Sequence, residues 1–191
     1  MIKKEHIPNI LTMGRIVIVP FYIWLTFFVH TPLAMIEAFI LFVIASYTDY
    51  LDGMFARKYN VISNFGKIMD PLADKILVIS ALVALAHPVI GYINYYIVGI
   101  IVIRELVVTI LREIYMRKKI YIAANMWGKV KTVMQMVGII FALFYKSILS
   151  AFLNANADAT IVKIMLIYFW ITAGVTLFSG ANYFFIKKDK K

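Results

Sequence analysis

The chain contains no cysteine. This excludes a disulfide-stapled scaffold, a cysteine zinc site and an iron–sulfur cluster. Charge is scarce as well: 16% of residues are Asp, Glu, Lys or Arg, with 10 acids against 20 basic residues. With 5 prolines and 9 glycines there is no linker or low-complexity segment, and no internal repeat is visible. Hydrophobic residues make up 63% of the 191 positions, against about 45–50% in a soluble domain. Disorder and an ordinary soluble domain are both excluded, and the length suits a single domain over 1–191. The net charge of +10 calls for an anionic partner. In so apolar a chain that partner is membrane lipid, and no nucleic acid is expected.

Uncharged runs give the architecture. Ile16 to Ile36 spans 21 residues, Ile76 to Ile103 spans 28 and Ile164 to Ile186 spans 23. About 20 apolar residues cross a bilayer as a helix. The 28-residue run is too long for one crossing, and His87-Pro88 with Gly91 marks a turn inside it. The expectation is an all-α integral membrane protein with six transmembrane helices near 13–31, 33–57, 67–87, 92–117, 127–148 and 160–186. A short amphipathic segment, Ile7 to Thr12, precedes the first. Lys3 and Lys4 before an apolar run mimic a signal peptide, but no small-residue cleavage site follows, so the run is read as the first span. Of the 20 Lys and Arg, 18 fall on the side shared by the chain ends and the 57–67 and 117–131 loops. The positive-inside rule places that side, with both termini, in the cytosol of a multi-pass cell-membrane protein.

Four of the ten acids lie within 26 residues: Asp49, Asp52, Asp70 and Asp74. Asp49 and Asp52 are i, i+3 and Asp70 and Asp74 are i, i+4, so each pair shares a helix face. A short loop joins the two helices, so the four carboxylates converge at their cytosolic ends. Unpaired anions at membrane depth are costly and need metal ions, basic partners or protons. Hard oxygen donors without His or Cys suit Mg²⁺, Mn²⁺ or Ca²⁺ and not Zn²⁺. Salt bridges to Arg57, Lys58, Lys67 and Lys75, or a proton or divalent-cation transport path, are the competing readings. Against transport, no repeat or polar midplane break is present. Gly53 and Ala56 leave a bare helix face for a ligand, and Arg57 suits a phosphate oxygen.

Basic residues accompany the acids. Arg104 lies about 20 Å along its helix from Arg117 and cannot face lipid comfortably. Arg112 lies about 80° around the helix from Arg104, so one broad face presents both. Lys129 and Lys131 are about 200° apart, so one of them turns into the same pocket. These four residues are candidates for holding an acceptor phosphate, with Arg112 and Lys129 favoured. Neutralisation of Glu105, Glu113 and the Asp cluster, or snorkelling to headgroups, is the alternative. His6, His30 and His87 fall at helix ends and carry no catalytic expectation.

The segment Asp49-x2-Asp52-Gly53-x2-Ala56-Arg57-x8-Gly66-x3-Asp70-x3-Asp74 resembles the signature of the CDP-alcohol phosphotransferases, membrane enzymes of phospholipid synthesis. All eight fixed positions are present over 26 residues. The flanks, Ile7-Pro8-Asn9-Ile10-Leu11-Thr12-x2-Arg15, Arg104-Glu105, Leu111-Arg112-Glu113 and Gly128-Lys129-Val130-Lys131-Thr132, are similar to the branch that uses glycerol 3-phosphate. The resemblance implies transfer of a phosphatidyl group from CDP-diacylglycerol to glycerol 3-phosphate, releasing CMP. Other branches take inositol phosphate, serine or phosphatidylglycerol. It implies two divalent cations, Mg²⁺ or Mn²⁺, with Asp49 and Asp70 bridging both, Asp52 completing one site and Asp74 the other. Asp74 would also be the base on the acceptor hydroxyl. Gly53, Arg57 and Ser63 would contact CDP-diacylglycerol, with Pro8, Asn9 and Thr12, and the family implies a homodimer.

Overall fold

The computed structural model describes residues 7–29, 31–59, 64–118, 126–152 and 155–181, with side chains except at 7–10, 50, 52–53, 55–59, 64–71, 151 and 155–157. These residues are helical almost throughout. The long helices are α1 (Ile7–Phe28), α2 (Pro32–Tyr59), α3 (Asn64–Ala86), α4 (Tyr95–Arg117), α5 (Met126–Phe144) and α6 (Ala155–Ala181). A π-helical turn, Tyr145–Leu149, and a 3₁₀ turn, Ser150–Phe152, continue α5. The stretch from Ile7 to Thr12 is not a separate segment. It forms the first turns of α1, because nothing between it and Arg15 breaks the helix.

Local chemistry sets the ends. Thr31 caps α2: its Oγ1 accepts the Ala34 N–H at 3.2 Å, and Pro32 occupies the first helical position, where its missing N–H costs nothing. α3 stops at the expected turn. The Ile90 and Gly91 amides donate to the His87 carbonyl at 2.9 and 2.8 Å, and Gly91 adopts φ +69°, a conformation suited to glycine. The chain then folds back, and the Tyr92 amide donates to the Leu85 carbonyl at 2.9 Å.

α1 packs on α2 and α3, α4 packs on α3 and α6, and α5 bridges α2, α3 and α6. Tyr22, Phe42, Leu82, Leu85, Ile97, Ile139 and Phe169 fill the centre. Buried Ala38, Ala45, Ala81 and Ala84 let the helices approach closely. The surface is apolar instead of polar. Val17 is 72% exposed and Ile103 65%, and Phe21, Trp24, Val133, Ile164 and Ile171 also face outward. Meanwhile Thr12, Arg15, Gln135, Thr172 and Thr176 face inward. That inversion is the signature of a chain solvated by lipid tails.

Four helices among the described residues are long and apolar enough to cross a membrane, within Leu11–Phe28, Pro32–Asp49, Met126–Leu149 and Asp158–Ala181. α3 and α4 fall outside that set because they carry Lys67, Asp70, Asp74 and Lys75, and Arg104, Glu105, Arg112 and Glu113. The described residues therefore form six long helices with four clear span candidates.

The contact between α5 and α6 tolerates no added volume at Gly138. A Cβ there would lie 2.6 Å from Tyr168 Cε1 and 3.0 Å from Phe169 Cζ. The Tyr168 ring is pinned, since its hydroxyl donates to the Met134 carbonyl at 2.8 Å. Gly138→Ala should destabilise the purified protein by about 1–3 kcal/mol, as overpacking does. A lowered thermal midpoint in detergent checks this, and an unchanged midpoint would show that α6 yields.

Candidate active site

The inward face of α1 starts the site. Thr12, Arg15, Val19 and Tyr22 recur at helical spacing and all are buried. Arg15 is fully buried, and its Nη1 meets Asp49 Oδ1 of α2 at 2.5 Å. Asp49 is 41% exposed, so the pair has one foot in the core and one at an opening. The partners weighed from sequence, Arg57, Lys58 and Lys67, have side chains outside the described set; the Arg15 contact was not among those weighed. It comes from α1, more than thirty residues upstream, which local spacing does not reveal.

Asp74 projects from α3, half-buried, within electrostatic reach of Asp49, Arg15, Lys131 and Lys75. Carboxylates from α2 and α3 therefore do converge, with cations from α1, α3 and α5 around them. Asp70 is one turn before Asp74, and Asp52, Gly53 and Arg57 lie on the last turns of α2. The side chains of Asp52, Arg57 and Asp70 are outside the described set, as are those of Pro8 and Asn9 in the first turn of α1. Ser63 lies outside the described residues altogether.

A second layer of charge joins α3, α4, α5 and α6. Glu105 is its hub: Oε1 pairs with Lys131 Nζ and stands 3.5 Å from Arg104 Nη1. Lys75 Nζ donates to Thr109 Oγ1 at 2.5 Å, and Thr109 in turn donates to the Glu105 carbonyl at 2.7 Å. Arg104 reaches away from this centre and donates to Ser179 Oγ of α6 at 2.9 Å. Gly180 makes room for it, since a Cβ there would lie 2.9 Å from Arg104 Nε.

Of the two lysines on α5, Lys131 turns inward and Lys129 is exposed. The 200° separation predicts that only one enters, and burial of Gln135 one turn later selects the face. Arg112 is exposed but within electrostatic reach of Lys75. Glu113 pairs with Arg117 at 3.1 Å on the surface.

Between α3 and α5 a cavity of about 70 Å³ opens beside Asp74. Its polar lining comes from Asp74, Lys75, Glu105, Lys131, Thr132 and Gln135. Lys75, Glu105 and Gln135 were not singled out as site residues from sequence, although Glu105 sits in a quoted flank. The donor set fits hard divalent cations. Asp49 and Asp74 offer only oxygens, and two like charges are held within reach of each other. Among the described side chains no cluster of three or more metal-ligating residues occurs.

The family model for CDP-alcohol phosphatidyltransferase matches residues 5–178. A Rickettsia bellii protein is 37% identical over 183 residues, covering 94% of each chain. A Bacillus subtilis protein is 35% identical over 192 residues, covering 94% of this chain and 93% of its own. A Mycoplasma pneumoniae protein is 38% identical over 158 residues, covering 74% and 69%. All three are named CDP-diacylglycerol–glycerol-3-phosphate 3-phosphatidyltransferase.

The Arg15–Asp49 pair yields a stability test. Removing Asp49 takes away the acid that the fully buried Arg15 meets at 2.5 Å, whereas removing Arg15 leaves an acid that still reaches water. Asp49→Leu should cost about 3 kcal/mol and Arg15→Met less, with the double variant more stable than Asp49→Leu alone. Thermal unfolding of the four proteins in detergent measures this. Additive losses would show that the two side chains do not depend on each other.

Proposed function

Since the chain belongs to the CDP-alcohol phosphatidyltransferase family, we propose that it transfers the phosphatidyl group of CDP-diacylglycerol to glycerol 3-phosphate, releasing CMP. The observation that carries the choice of acceptor is the cavity in which the half-buried Asp74 faces Lys131 and Lys75. An acceptor with its own phosphate needs fixed cations beside the reacting carboxylates, and a neutral alcohol does not.

Asp74 takes the proton of the acceptor hydroxyl. The hydroxyl oxygen bonds to the phosphorus that carries diacylglycerol, and the bond from that phosphorus to CMP breaks. No enzyme nucleophile is required, because the acceptor attacks directly. Lys131, with Lys75 nearby and Arg112 beside Lys75, holds the acceptor phosphate. Arg15 keeps Asp49 oriented, and Glu105 keeps Lys131 and Arg104 in place. Arg104 supports the pocket from the α6 side, and Lys129 is available at the surface for headgroup or acceptor contact. Asp49, Asp52, Asp70 and Asp74 would hold two divalent cations, Mg²⁺ or Mn²⁺, which supply neutralisation of the charge that develops on the pyrophosphate oxygens. Gly53, Arg57, Ser63, Pro8, Asn9 and Thr12 belong to the CDP side of the same reading.

The reading includes six membrane crossings, with α3 and α4 crossing despite their charges. It places the site and both termini in the cytosol by the distribution of Lys and Arg. α2, at 28 residues, is about 42 Å long and exceeds the ~30 Å hydrocarbon core, so its Asp-bearing end stands at the interface. The homodimer implied by the family is part of the same reading.

Purified protein assayed with CDP-diacylglycerol and a panel of acceptors tests the reaction. Turnover should require the phosphate, with free glycerol a poor substitute. Efficient use of serine or inositol phosphate would move the chain to another branch. Chelation should abolish turnover and Mg²⁺ or Mn²⁺ should restore it, while activity in metal-stripped protein would exclude the metals. Asp74→Asn should abolish turnover and retain CDP-diacylglycerol binding, because an amide cannot accept the proton. Near-normal kcat would place the base elsewhere. Lys131→Met should raise KM for glycerol 3-phosphate by about ten- to a hundredfold and leave that for CDP-diacylglycerol nearly unchanged. Equal losses for both substrates would make Lys131 a purely structural residue.

A further inference from the structure

Gln135 has no place in the chemistry so far, yet its environment is unusual. It is 4% exposed, in α5. Among the described residues its amide nitrogen meets no hydrogen-bond acceptor. A buried donor without a partner is a standing cost, so a side chain kept this way points to an absent ligand. Gln135 lines the cavity that also contains Asp74 and Lys131. It lies four residues beyond Lys131, about 6 Å deeper along the same helix face. At its level the wall turns apolar, with Val78, Ile79 and Met136.

We infer that Gln135 reads the middle hydroxyl of the acceptor and so selects a glycerol backbone, an inference that rests on the acceptor reading above. The cavity is graded along α5. Its cations stand where a phosphate would enter, and the neutral amide stands deeper, where a second anion would be poorly compensated. A neutral oxygen is what the amide donor can satisfy. The volume, about 70 Å³, admits roughly five waters at 10–15 Å³ each, the scale of a short polyol. The phosphate on Lys131, the middle hydroxyl on Gln135 and the end hydroxyl at Asp74 make three fixed points. Three points distinguish the two mirror forms of glycerol phosphate.

The test compares sn-glycerol 3-phosphate with 3-hydroxypropyl phosphate, which lacks only the middle hydroxyl. The wild-type protein should prefer glycerol 3-phosphate by about ten- to a hundredfold in kcat/KM, because the deoxy compound leaves the amide unpaired. Gln135→Met should lower kcat/KM for glycerol 3-phosphate about tenfold and change that for 3-hydroxypropyl phosphate less than about twofold, so the preference collapses. Preference for one mirror form should fall with it. Equal loss with both acceptors, or a wild-type protein that does not discriminate, overturns the inference. If Gln135→Met fails to accumulate, the wild-type comparison still decides, and Gln135→Glu keeps the side-chain shape for a second variant. Failure of the underlying reading looks different: neither phosphate acceptor then supports turnover, or Lys131→Met leaves KM for glycerol 3-phosphate unchanged.

Discussion

A fully buried guanidinium held against a half-exposed carboxylate organises the reactive end of this bundle. Arg15 sits on the inward face of α1 with no exposure, and Asp49 of α2 meets it at 2.5 Å. In an apolar surrounding the buried charge of Arg15 needs an acid beside it. Their pairing therefore fixes α1 against α2, and the order it imposes reaches Asp74 on α3, which lies in the field of both groups. α1 also packs on α3, so three helices share one constraint.

The same rule shapes the far side of the site. Glu105 faces Lys131 and Arg104, and Arg104 ends on Ser179 of α6. Glu105, Lys131 and Arg104 each have a partner on another helix, so the polar contacts tie helices together where greasy surfaces alone would let them slide. The arrangement also divides labour. Arg104 is spent on the α4–α6 contact, while Lys131 is shared between Glu105 and the cavity.

The architecture was largely legible because lipid imposes long uncharged runs, and charges interrupt them only where they have work to do. The turn after α3 was readable from His87-Pro88 and Gly91. Convergence of Asp49 and Asp74 followed from helical spacing and a short connection. The cation facing Asp49 did not. Arg15 is distant in sequence, and no periodicity links a residue on α1 to one on α2. Helical geometry announced that one of Lys129 and Lys131 turns inward, but the choice depends on how α5 is rotated against α3 and α6. Gln135 was invisible for a related reason: a lone amide in an apolar run acquires meaning only when its partners are counted.

The charges on α3 and α4 also explain why hydropathy separates these helices from the other four. Lys75, Asp74, Glu105 and Arg112 weaken the apolar character of the elements that carry them, and most of them face one another across the site. The lower hydropathy of α3 and α4 comes from ionisable groups whose neighbours lie partly on other helices. The departure from a simple hydropathy pattern thus falls on the elements that build the cavity, and the locally anomalous helices are where function is to be sought.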